Sequence, residues 1–419
     1  METTPTVQPM HTDSNSAAGK CPVDHSKFSH QKTALQTDTS TQPLERDGEG
    51  VWHVRGFDEA RAILRGTETT QQAGFGASLV LNVKAIINLP ILYLEGKAHL
   101  SQRRQTARFF TPTTVTRDYT TFIESLADEL IADLKRTRRE DLDKMSLTLA
   151  TAVVSKVVGL TNNLMSGMDK RIERFFRQPN LKMTWKPLAK FFNTIEQRHM
   201  LSFYFLDVRP AINARKRQPQ EDLISHLLEN KYSDIEILTE CVTYAAAGMT
   251  TTREFIGITA WHFLENPELR EQYLAADEEG RYEILHEMLR LEPVIAHLYR
   301  RTLADITVES EGNTVTIPKG DLIDLHIYST TVDKHVIDEA PLELCPARPI
   351  HGDHIPPMLM SFGDGHHRCP GAYLAIKETD IFLQRLLAIK SLRIEKQPKL
   401  GWNEVAKSYE IRDFILSVD

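Results

Sequence analysis

The 419-residue chain has only four cysteines, Cys21, Cys241, Cys345 and Cys369. Their small number and scatter fit a reducing compartment better than a disulfide framework. The N-terminus, Met1-Glu2-Thr3-Thr4-Pro5, lacks a basic stretch followed by an apolar run, so neither a signal peptide nor a membrane anchor is read there. Long hydrophobic runs are missing too. The most apolar segment, Leu79 to Leu94, is broken by Lys84, Asn88 and Pro90 and cannot span a bilayer. Basic residues are not in excess, and a net charge of −7 argues against general nucleic-acid binding. There is no Pro/Gly/Ser-rich linker after the N-terminal tail and no internal repeat. These absences predict a soluble, cytoplasmic protein.

A hydrophobic content of 41% supports a packed core, and one large, mostly helical domain over 46–419 is the simplest reading. Residues 1–45, rich in Thr, Ser, Gln and Asp, read as a largely disordered tail. Within it, Cys21-Pro22-Val23-Asp24-His25 offers too few ligands for a metal site. Val51 to Val54 reads as a short strand before the helix Phe57 to Leu64. Helical periodicity then covers Tyr119 to Thr137, Leu142 to Val158, Met168 to Phe176, Leu188 to Arg215, Asp234 to Glu265 and Tyr282 to Leu291. Ile306 to Val308 and Thr314 to Ile317 are β-like, and Glu410 to Leu416 forms a β-like tail.

The most informative stretch is Ser361-Phe362-Gly363-Asp364-Gly365-His366-His367-Arg368-Cys369-Pro370-Gly371, followed by a helical run from Ala372 to Leu386. A lone thiolate serves as an iron ligand only if its charge is stabilised. Glycines let a loop bring backbone N–H groups to the sulfur, and a helix starting just after it adds a favourable dipole. The bland readings are a glycine-rich turn with a buried thiol, or a small metal site from His366, His367 and Cys369. The first asks six positions to match by chance, and the second crowds three ligands into four residues.

Written as F-G-x-G-x-H-x-C-x-G, the stretch resembles the haem-binding loop of the cytochrome P-450 family. The resemblance covers roughly residues 45 to 419. It implies a mainly α fold with small β-sheets, a triangular prism with haem b between the long central helix and the helix after the cysteine. Cys369 would be the axial ligand to the haem iron, whose sulfur pushes electron density onto the metal. Phe362, Gly363 and Gly371 would shape the loop around it. Glu287-Met288-Leu289-Arg290 lies 82 residues before the cysteine, where the family keeps a buried Glu–Arg pair completed by a later arginine. Arg348 would supply that third member, and the three would form a structural clamp. The haem propionates need cationic partners, for which His99, Arg103, Arg300 and His367 match the family's positions, with Arg301 competing with Arg300.

The central run contains Ala245-Ala246-Ala247-Gly248-Met249-Thr250-Thr251-Thr252. Small residues followed by hydroxyls suggest a local widening of the helix, where a hydroxyl can leave its own backbone and face a ligand. By resemblance Ala247 and Gly248 line the oxygen groove and Thr251 is the oxygen-side alcohol. The acid expected before that threonine is replaced by Thr250, which can relay a proton but cannot act as its reservoir. Either another relay operates, through water or through Glu254, or the chemistry depends less on proton delivery, as in oxidative coupling, ring formation or peroxide-driven oxidation.

The resemblance implies a monooxygenase that uses O2 and two external electrons, ultimately from NAD(P)H, to oxidise a small molecule. Phe75, Leu79, Val80, Phe175, Phe176, Trp185 and Tyr244 fall where the family contacts substrate, and their apolar character suggests a hydrophobic or aromatic compound. The implied electron partners are a ferredoxin with its reductase, or a flavodoxin. Arg104, Arg108, Arg368 and Lys377 flank the cysteine side and would dock an acidic carrier. A reading of another class, a non-catalytic haem sensor, would need neither groove nor proton relay.

Overall fold

A five-stranded sheet draws its strands from both halves of the chain, and helices fill the sequence between them. The computed structural model describes residues 31–33, 40–75, 77, 88–176, 198–337, 340–346 and 348–419. Strands β1 (Leu44–Arg46), β2 (Trp52–Val54) and β3 (Thr70–Gln72) surround helix α1 (Phe57–Arg65) in sequence. Helices α2 (Gly96–Thr106), α3 (Thr120–Thr137), α4 (Leu142–Val158) and α5 (Met168–Phe176) follow. The long central helix is α6 (Asp234–Ala245) joined to α7 (Thr251–Glu265) by a π turn, Ala246–Thr250. After α8 (Glu278–Leu291) come β4 (His297–Thr302), the hairpin Ile306–Ser310 and Asn313–Ile317, and β5 (Leu322–His326). Helix α9 (Ala372–Leu387) and the hairpin β6 (Lys399–Asn403) and β7 (Ser408–Arg412) complete the principal elements.

The helices form where apolar spacing and end signals agree. In α3, Ile123, Ala127, Ile131 and Leu134 are buried along one stripe, and Arg138 ends the helix with φ 64°. Gly159, φ 97°, ends α4 in the same left-handed way. A capping box of Ser233 and Glu236 starts α6. The main core lies among α3, α4, the central helix, α8 and α9.

The sheet order is β1-β2-β5-β4-β3, with β2 parallel to β5 and the other neighbours antiparallel. Alternation along paired strands gives it two unlike faces. Val54, Leu298, Ile323 and Leu325 face α1 and the second core, with Arg300 in the same register set. His53, His297, Tyr299, Asp324 and His326 share the opposite face.

Three expectations come out differently or only in part. The β-like tail Glu410 to Leu416 is two strands in different sheets, because Asp413 turns the chain with φ 58°. The helix expected from Leu188 lies outside the described residues as far as 197; from 198 the chain is helical to Arg217, with a π turn at Tyr204–Val208. Cys345 is disulfide-bonded whereas Cys241 and Cys369 are free, so the reduced state read from few, scattered cysteines fails at Cys345.

In the expected tail, β1 already starts at Leu44, and residues 31–33 lie against the helical body. Gln31 Nε2 donates to the Leu291 carbonyl (2.8 Å), and the Lys32 and Thr33 amides donate to the Glu292 carboxylate. The Cys21 to His25 segment lies outside the described residues.

Candidate active site

Cys369 sits three residues before α9, whose N-cap is Gly371. Its amide donates to the Phe362 carbonyl (2.9 Å), closing the loop. Gly363 and Gly365 both take positive φ, 68° and 66°. At Gly365 a Cβ would lie 2.2 Å from the Leu64 carbonyl oxygen, so glycine is required for the loop to pass α1. Among the described residues, Gly371 supplies the backbone N–H that bonds the sulfur, while the earlier glycines serve the path of the loop. Cys369 is exposed, yet burial in the surrounding protein pushes its thiol up, opposed by the Gly371 N–H and the charges of Arg103 and Arg368.

Beside the cysteine loop is a cluster of histidine and arginine side chains. His99 and Arg103 lie one turn apart on α2, and Arg103 donates to the Arg368 carbonyl. The His99 ring stacks on His367 at 3.9 Å between centroids and meets His366 edge-on at 5.4 Å. Burial, followed by the charges of His367, His366 and Arg103, pushes His99 down to about 3. Arg300 is 5% exposed and has no carboxylate within ion-pair distance among the described residues; burial lowers its guanidinium to about 10, partly offset by Glu95. Arg301 is exposed and donates to the Gly320 carbonyl (2.7 Å), so strand alternation decides between the two arginines.

Sequence reasoning missed Glu95 and placed His366 only in the small-metal-site reading. Glu95 Oε2 accepts from His367 (3.1 Å) and His366 (3.3 Å). Burial works to raise the Glu95 carboxyl, but those hydrogen bonds and Arg300 hold it below its ordinary value. The signal was present: Glu95 stands four residues before His99, at the N-cap of the helix on which His99 and Arg103 share a face.

The clamp residues meet in the interior. Arg290, fully buried, donates to both oxygens of Glu287 (2.7 and 2.8 Å), and Arg348 Nε donates to Glu287 Oε1 (3.0 Å). Both guanidiniums also hold the Glu343 carbonyl, Arg290 reaches those of Thr331 and Pro341, and Arg348 reaches that of Ala340. The Cys345 amide bonds Glu287 (2.9 Å). The chain leading to the cysteine loop is thus pinned to α8.

In the central helix the π turn falls on the small-residue stretch, and Ala247 is exposed in mid-helix beside half-buried Gly248, Thr250 and Thr251. The Thr251 hydroxyl donates to the Ala247 carbonyl (2.5 Å), so it keeps a backbone partner across the widened turn. A Cβ on Gly248 would come 2.4 Å from Val154 Cγ2, which seats the turn closely on α4. Glu254 does not join this groove. Its fully buried carboxylate accepts from the Ile411 amide (2.7 Å) and Arg412 (2.6 Å). Ala247 and Glu254 are seven apart and would share a face of an unbroken α-helix. A π turn holds one residue more, which sets later side chains back by about 100°.

Of the expected substrate-side residues, Phe75 lies in a turn with φ 54°, its carbonyl accepting from Tyr93 (2.7 Å). Tyr244 is buried and stacked on Phe110 at 5.8 Å, near Arg103. Phe175 and Phe176 end α5, with side chains outside the described set, and Leu79, Val80 and Trp185 lie outside it altogether. On the cysteine side Arg104, Arg108 and Arg368 are exposed, whereas Lys377 is buried and paired with Glu278 (2.8 Å).

These residues fit a haem. An accessible thiol in a desolvated setting, a buried Arg300 without an acid in ion-pair reach, and a buried His99 Nδ1 without a hydrogen-bond partner suit one ligand with a metal centre and carboxylates. Among the described residues no helix is long and apolar enough to cross a membrane.

Comparison with known proteins agrees. The family model "Cytochrome P-450" matches residues 282–401, spanning α8, the clamp and the cysteine loop. The chain is 25% identical over 347 residues to the biotin biosynthesis cytochrome P-450 of Bacillus subtilis, covering 80% of this chain and 82% of that protein. It is also 25% identical over 366 residues to the erythromycin C-12 hydroxylase of Saccharopolyspora erythraea, covering 84% and 85%. Among solved structures it is similar to CalO2, with a TM-score of 0.74 at 20% identity over 90% of this chain and 93% of that one. It is likewise similar to the P-450 BioI in complex with hexadec-9Z-enoic acid ligated acyl carrier protein, TM-score 0.71 at 22% identity over 90% and 94%. Motif, fold and relatives converge: the chain belongs to the cytochrome P-450 superfamily of monooxygenases.

Proposed function

We propose that this enzyme hydroxylates a hydrophobic or aromatic small molecule, using O2 and two electrons drawn from NAD(P)H through a ferredoxin and its reductase or a flavodoxin. The observation that carries the reading is the pairing of exposed Cys369, before α9, with exposed Ala247 on the π turn, since α7 and α9 pack together. We take these as two walls of one haem cleft. Cys369 would ligate the iron, and Phe362, Gly363 and Gly371 would shape its loop. His99, Arg103, Arg300 and His367 would hold the propionates, and Glu287, Arg290 and Arg348 would keep the loop in place. When bound, the haem supplies oxygen activation. The chain's own part is to exclude water, to hold substrate at the Ala247 and Gly248 face, and to pass protons at the Thr251 hydroxyl.

Relatives named for biotin biosynthesis, polyketide biosynthesis and erythromycin C-12 hydroxylation support a biosynthetic substrate. Exposed Arg104, Arg108 and Arg368 would dock an acidic electron carrier. The test is the CO spectrum of the dithionite-reduced protein, followed by turnover with ferredoxin and reductase at rising salt. A strongly red-shifted Soret band and salt-weakened reduction are expected. A normal haem–CO band, or no haem, would refute the thiolate reading.

A second reading is favoured by one observation. Thr250 replaces the usual acid, and Glu254, the nearest substitute, is turned away into a bond with Arg412. Chemistry that depends less on proton delivery, such as oxidative coupling or peroxide-driven oxidation, suits that arrangement. Thr251→Ala separates the two: uncoupled electron consumption supports hydroxylation with a water-borne relay, and unchanged product yield supports the second reading.

A further inference from the structure

The face of the five-stranded sheet opposite Arg300 carries a group of side chains that oxygen chemistry does not use. In register across three adjacent strands stand His53 on β2, Asp324 and His326 on β5, and His297 on β4. His53 Nδ1 is 2.8 Å from His326 Nε2 and 3.8 Å from Asp324 Oδ2, and His326 Nε2 is 3.5 Å from the same oxygen. We propose that His53, Asp324 and His326 form a binding site for a zinc-type divalent ion that fastens β2 to β5.

His53 Nδ1 and His326 Nε2 share a hydrogen bond, which an ion would replace, and the three ligand atoms are close enough to form a coordination face. Two ligands each about 2.0–2.1 Å from a tetrahedral ion stand roughly 3.3–3.4 Å apart, and the three observed separations bracket that value. Two imidazole nitrogens and one carboxylate oxygen are a donor set that zinc takes with water in the fourth position. Two of the atoms that would not ligate, His53 Nε2 and Asp324 Oδ1, are already held. His53 Nε2 bonds Asp47 Oδ2 at 3.0 Å, and His297 Nδ1 bonds Asp324 Oδ1 at 2.9 Å. Such outer hydrogen bonds orient metal-ligating histidines and carboxylates. The side chains are partly accessible, 21% for His53 and 11% for His326, so an ion can enter. All three ligands sit on strands, which hold geometry better than loops. The other close histidine trio, His99, His366 and His367, belongs to the histidine and arginine cluster beside Cys369.

The test uses untagged, haem-loaded protein, treated with EDTA, desalted and titrated with zinc chloride alone. Elemental analysis after gel filtration should find about one zinc per haem iron. The double variant H53Q/H326Q, with unchanged haem content, should retain none, and H297Q should bind roughly 10–100-fold more weakly. Wild-type protein that keeps no zinc, or a double variant that keeps it all, would overturn the proposal. Should the double variant fail to fold, zinc-edge X-ray absorption on the wild type decides: a shell of two imidazoles and oxygen supports the site, and sulfur in that shell refutes it.

Discussion

Replacing Glu240 by glutamine should make the protein less sensitive to mild alkali. Glu240 lies on α6, fully buried, with Oε1 accepting from the Ile91 amide (3.0 Å) and Gln102 Nε2 (2.6 Å). Its Oε2 has no partner among the described residues. Burial raises this carboxyl from 4.5 to about 8, against the pull of those two hydrogen bonds. Below pH 4.5 both folded and unfolded chains carry the proton, and its contribution to stability is complete. Between 4.5 and 8 the unfolded chain has released the proton and the folded chain keeps it, so stability falls by about 1.4 kcal/mol per pH unit. From pH 6 to pH 8 the loss from this one group is about 2 kcal/mol. Glutamine keeps the carbonyl that Ile91 and Gln102 use but cannot ionise. Urea denaturation of both haem-loaded proteins at pH 6 and pH 8 should show the advantage of E240Q growing by about 2 kcal/mol, with other titrating groups cancelling. Parallel pH dependences would refute the argument.

Gly365→Ala should cost at least about 2 kcal/mol in urea denaturation, because it adds left-handed strain to a collision with the Leu64 carbonyl. Arg290→Met leaves Glu287 buried with only Arg348 as a charged partner, and should lose about 3–5 kcal/mol together with most bound haem. Arg300→Leu should move two readouts in opposite directions: a more stable haem-free protein, relieved of a buried cation, and haem dissociation at least about tenfold faster, roughly 1.4 kcal/mol. Thr250→Asp should raise product formed per electron consumed if proton supply limits the reaction, and leave it unchanged if the chemistry bypasses that supply.

The helices were legible because their signals are local. Leu142–Val158, Met168–Phe176 and the two ends of the central helix fall where periodicity places them. The sheet was not, since its strands are short and the pairings of β5 with β2 and of β4 with β3 span more than two hundred residues. At the site, the cysteine loop and the clamp could be read from fixed spacings. Glu254 was misplaced because α-periodicity carries no account of a π turn, whose extra residue rotates everything after it. Glu95 was legible in principle, four residues before His99, but an acid does not suggest itself when cations are being sought. Where the cleft places Phe75 and Tyr244 depends on loop path and helix packing, which one sequence does not specify.

The segment at 31–33 bears on how the protein can be shortened. Composition invites a cut near residue 40, leaving an apparently complete body. Glu292 is fully buried at the end of α8, and its carboxylate is shared by the Lys32 amide, the Thr33 amide and hydroxyl, and His262. Removing the first forty residues would strand that charge with fewer donors, directly after the helix that carries Glu287 and Arg290. A trimmed version made for crystallisation or display would therefore weaken its haem side from a distance, unless Glu292 were exchanged for glutamine in the same step.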